Sequence, residues 1–62
     1  MEEKAIAIMQ DMLDIIKYAD ETGKTNISET WSEKFRGAVE VYEALFGGNV
    51  YNIQYKVVVE ED

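Results

Sequence analysis

The stretch GGNVYNIQYKVVVEED, Gly47–Asp62, decides the fold. After two glycines and an asparagine come Val50, Tyr51, Asn52, Ile53, Gln54, Tyr55, Lys56, Val57, Val58 and Val59, with no further glycine and no proline. Tyr51, Ile53, Tyr55, Val57 and Val59 are apolar or aromatic, while most residues between them are polar. That two-residue period belongs to a strand with one buried face. It predicts a single strand over about 50–59, running into the charged Glu60, Glu61 and Asp62.

A lone strand exposes unpaired N–H and C=O groups along both edges, and it needs partners. The segment Lys24–Ile27 is the other extended candidate in the chain, and it is too short to cover ten residues. A second copy of the chain supplies the missing strand most economically. The expected assembly is therefore a homodimer in which residues 50–59 pair antiparallel with their own two-fold equivalents, since closed two-fold dimers are the commonest oligomers. Addition to a strand of a different protein and pairing within the chain are the alternatives.

Upstream of the strand the period changes to that of helices. In residues 2–21, Ala5, Ile8, Met9, Met12, Leu13, Ile16 and Ala19 fall on one side, flanked by Ile6 and Ile15. This apolar arc covers about half the cylinder, which suits a helix with more than one neighbour. Gly23 ends the pattern within a turn over 22–27. Asn26 with Glu29, or Thr30 with Glu33, forms a capping box for a second helix over about 28–46. On that helix Trp31, Phe35, Ala38, Val39, Tyr42, Leu45 and Phe46 make one stripe, and Gly37 lies near its polar side. Gly47 and Gly48 stop it. The expected fold is α+β: one domain spanning 1–62, an antiparallel helical hairpin followed by one C-terminal strand.

Composition narrows the function. Sixty-two residues is near the lower limit for independent folding, where disulfides, a metal or oligomerisation usually contribute. The chain has no cysteine and no histidine. Its net charge of −7 repels phosphate backbones, so direct nucleic-acid binding is not expected. No run approaches the roughly eighteen apolar residues of a membrane span. The opening MEEKAIAIMQDML lacks the pattern of a secretory signal, so the cytoplasm is the expected location.

Motifs for chemistry fail on inspection. Gly23-Lys24-Thr25 resembles the end of a phosphate-binding loop, but Tyr18 stands where the first glycine belongs. Counting a calcium loop from Asp20 places Thr22, Lys24 and Trp31 at positions that need oxygen ligands. Asn26-Ile27-Ser28 is a glycosylation sequon only in an exported protein. Carboxylate pairs such as Asp11 with Asp14 have no histidine, cysteine or apolar pocket to tune them. Neither an enzyme, a cofactor nor a metal site is expected.

What remains is surface. Glu29, Glu33, Glu40 and Glu43 run along the second helix over about 21 Å. With Asp11 and Asp14 of the first helix they form the candidate partner-binding face, suited to a basic surface on a larger protein. Tyr51 and Tyr55 add aromatic groups of the kind enriched in binding hot spots. In size, acidity and its lack of cysteine, histidine and proline, the whole chain resembles the small accessory proteins encoded by bacteriophages. That resemblance implies a non-enzymatic inhibitor of a host defence or nucleic-acid-processing protein, acting in the host cytoplasm. An antitoxin-like or structural subunit of a host complex is the alternative.

Overall fold

A computed structural model describes residues 1–61. Helix α1 spans Glu2–Glu21 and helix α2 spans Thr25–Phe46, followed by strands β1, Asn49–Ile53, and β2, Lys56–Glu60. The helices form an antiparallel pair, and β1 and β2 form a two-stranded antiparallel sheet against it. The α+β class is as expected. The C-terminal segment is not: it is a hairpin, and the order is α-α-β-β.

The turn between the helices follows from Gly23. Its φ of +71° places it in the left-handed region that glycine enters without steric cost. The Lys24 N–H then reaches back to the Ala19 carbonyl at 2.8 Å, which closes α1 with a Schellman motif. This tight reversal starts α2 at Thr25, earlier than the expected range. The Ser28 N–H donates to the Lys24 carbonyl at 3.0 Å, so the helix is under way before either capping box could act. Lys24 occupies the cap position and offers no side-chain cap bond.

The single strand expected over 50–59 is corrected to two strands of five residues. Gln54 and Tyr55 form a two-residue turn with φ of +51° and +65°, the left-handed pair of a type I′ hairpin. Neither is the asparagine or glycine that usually signals this turn. Three bonds hold it: Asn52 Oδ1 accepts the Tyr55 N–H at 2.9 Å, Gln10 donates to the Tyr55 carbonyl at 2.9 Å, and the Tyr55 hydroxyl donates to Asp20. The partner of Val50 is thus Val59 of the same chain, with Tyr51 opposite Val58 and Ile53 opposite Lys56.

The turn also changes which residues face inward. Paired residues share a face, and Ile53 pairs with Lys56, so odd and even positions exchange sides across the turn. Val50, Val57 and Val59 pack inward on Met9 and Tyr42, with Ile6, Phe35 and Val39 around them. Tyr51 and Ile53, expected on the same face as Val57 and Val59, point outward beside Val58.

Among the described residues Met9, Leu13, Ile16, Ala19, Tyr42 and Val50 are buried. The broad arc of α1 touches α2 and β2 and is not used up by them. Ile8 is 56% exposed, as are Val41 at 58% and Leu45 at 71% on α2. No described helix is long and apolar enough to cross a membrane.

Candidate functional site

The acidic side chains divide by environment. Asp11, Asp14, Glu29, Glu33 and Glu40 are exposed, as a charged helix face requires. Glu33 bonds to Arg36 at 3.1 Å, a surface pair of one helical turn that contributes little. Asp14 accepts a bond from the Gln10 amide at 3.1 Å. Glu43 differs. It is half-buried, and its carboxylate accepts the Val50 N–H at 2.8 Å, tying the end of α2 to the start of β1.

Glu43 and Gln10 treat the two sheet edges alike. Val50 and Val57 occupy non-hydrogen-bonded positions of the ladder, so their N–H groups point away from the partner strand. Glu43 takes the first. Gln10 takes the second, accepting the Val57 N–H at 3.0 Å while donating to the Tyr55 carbonyl at 2.9 Å. Its side-chain amide thereby pairs with β2 much as a residue of a third strand would. Side chains that occupy edge groups are one way a small sheet avoids uncontrolled pairing.

A second cluster joins three elements at the other end of α1. The Asp20 carboxylate accepts bonds from the Ser28 hydroxyl of α2 and the Tyr55 hydroxyl of the turn. These two bonds, Ser28 first, hold the Asp20 carboxyl below its ordinary range. The bond to Asp20 is likewise the main cause that raises the Tyr55 phenol. A carboxylate so stabilised is a weak base, and no imidazole or thiol stands beside it. The cluster fastens the fold. Sequence reasoning met Asp20 only as the start of a calcium loop that fails and did not single out Gln10, since each is an ordinary polar residue of a helix and takes its role from a turn near residue 55.

Two apolar surfaces remain open. One is the outer sheet face, where Tyr51, Ile53 and Val58 lie exposed side by side. The other is a groove of about 370 Å³ between α1 and α2, whose walls include Ile8, Met12, Val41 and Leu45. Gly37 lines it without a side chain, and a methyl group placed there would meet no atom within 4 Å. Among the described residues no three carboxylates converge as metal ligands would. No protein-family model, curated protein or solved structure matches the chain.

Proposed function

We propose that this chain is a non-enzymatic binding protein, a homodimer that inhibits a larger protein by lying on its surface. The observation that carries this reading is the outer sheet face. Tyr51, Ile53 and Val58 form an exposed apolar patch on a sheet fastened at both edges and at its turn. A rigid aromatic and aliphatic patch loses little entropy on docking, and such anchors carry most of the energy of protein interfaces. The acidic row Glu29, Glu33 and Glu40 adds long-range attraction to a basic partner and a faster encounter. A nucleic-acid-processing or defence protein of a host cell, with its basic groove, is the kind of target these features suit, in the manner of the phage accessory proteins that the chain resembles.

A tagged chain expressed in its native host tests this directly. A larger protein should be recovered in fixed stoichiometry, and purified components should reproduce its binding. Ile53→Asp should abolish that binding, and the double reversal E33K/E40K should slow association at low salt. Recovery of no stoichiometric partner, or a partner indifferent to both variants, would overturn the reading.

A further inference from the structure

We infer that the groove between α1 and α2 receives a second copy of this chain, the two grooves meeting about a two-fold axis as a four-helix bundle with the sheets outside. This rests on the homodimeric part of the reading above and moves the interface from the strand to the helices.

The groove carries the pattern of a helix seam. Ala5, Ile8 and Met12 line it from α1, and Ala38, Val41 and Leu45 from α2, at alternating spacings of three and four residues. Lys34 continues the α2 series into the groove, and the same spacing runs on to Trp31 and Ile27. This is the heptad rhythm by which helices interdigitate along their length, and both helices present it to the same open side. Gly37 and Ala38 are small beside the exposed Val41 and Leu45, which leaves room for a second helix to approach closely. A two-fold contact sets the same surface of each copy against the other, so small and projecting residues must both lie within it.

Charge points the same way. Thirteen of the 62 residues are acidic, yet none lines the groove. Its one charged lining residue is Lys34, whose ammonium lies 5.5 Å from the centre of the Trp31 ring. Two copies of a −7 chain can thus meet here without setting carboxylate against carboxylate.

Size and stability complete the case. The molecule is elongated, with extents of 36 × 17 × 17 Å, so a second copy can lie along its side. Its radius of gyration is 11.6 Å, against about 10.6 Å for a compact chain of this length. The shape is that of half a bundle. A chain with so small a core and no cysteine is the type that oligomerisation completes. The strand route is less open, since Glu43 and Gln10 already occupy the edge N–H groups of Val50 and Val57.

Sedimentation equilibrium on the full chain, from micromolar to millimolar, decides the matter. The wild type should reach twice the monomer mass. Both V41E and V41K should weaken self-association at least tenfold while keeping the helical circular dichroism. The lysine form separates groove contact from net charge, because it relieves the overall repulsion. L45E, at a more exposed position, gives the same readout if either Val41 variant fails to fold. A wild-type dimer that survives as folded L45E, or that dissociates with Tyr51→Glu instead, overturns the groove and leaves the homodimer standing. A wild type that stays monomeric throughout overturns both.

Discussion

Gln10 and Val57 lie on different elements, yet they are joined as neighbouring strands are. The Gln10 carbonyl oxygen accepts the Val57 N–H at 3.0 Å, and its amide donates to the Tyr55 carbonyl at 2.9 Å. Replacing Gln10 by alanine should destabilise the fold by about 2 kcal/mol, two net hydrogen bonds at a typical value each. Hydrogen exchange checks it: the Val57 amide should lose more protection than the Val58 amide, which remains in the ladder.

Asp20 makes one contribution to the stability of the fold depend on acid pH. Its carboxyl is held below the ordinary 3.8 by the Ser28 and Tyr55 hydroxyls. A depressed carboxylate contributes stability above its unfolded value, and this is lost as pH falls through the folded one. Thermal melts should therefore show a stability loss below about pH 4 that Asp20→Asn removes in part. Tyr55 acts in the opposite sense. Its phenol is raised above 10.0, so its contribution is complete below that value and disappears as pH rises through the folded one. Tyr55→Phe should flatten the alkaline end of the same profile.

The turn is open to improvement. Gln54 sits at φ +51°, where a side chain other than asparagine or glycine costs roughly 1 kcal/mol. Gln54→Asn should raise the denaturant midpoint by an amount worth about 0.5–1 kcal/mol, with the slope unchanged. Tyr55→Gly should not show the same gain, since it also removes the bond to Asp20.

Leu13 is fully buried, and its truncation to alanine should cost about 2–5 kcal/mol. Domains of this size have roughly 3–5 kcal/mol in total. The variant should be largely unfolded at 25 °C by circular dichroism.

Gly48 is the glycine the sheet requires. A methyl group on it would come within 2.9 Å of the Glu60 carbonyl oxygen, at a φ of +78°. Gly48→Ala should cost about 1–2 kcal/mol, read as a lowered urea midpoint.

The helices were legible in the sequence because each carries several turns of apolar period and ends at a glycine. Glu2–Glu21 and the end of α2 at Phe46 follow from that pattern. The hairpin was not legible, because its turn has no local signature. Gln54 and Tyr55 take left-handed angles under the hold of Gln10, Asn52 and Asp20, two of them far away in sequence. The apolar alternation from Tyr51 to Val59 runs unbroken through the turn and reads as one face, although pairing Ile53 with Lys56 splits it between two. Among the acidic residues, Glu43 could not be told from Glu33 or Glu40 by spacing. Only the approach of Val50 to the end of α2 gives it a different task.

An acid-free groove on a strongly acidic chain gives ionic strength two opposite effects. Salt screens the repulsion between two −7 copies and so would favour the association proposed through the groove. The same ions would shield Glu29, Glu33 and Glu40 from the basic target proposed for them and so weaken that contact. If the groove joins two copies and the acidic row meets a basic target, rising salt should strengthen the first contact and weaken the second, so a salt series tells the two surfaces apart.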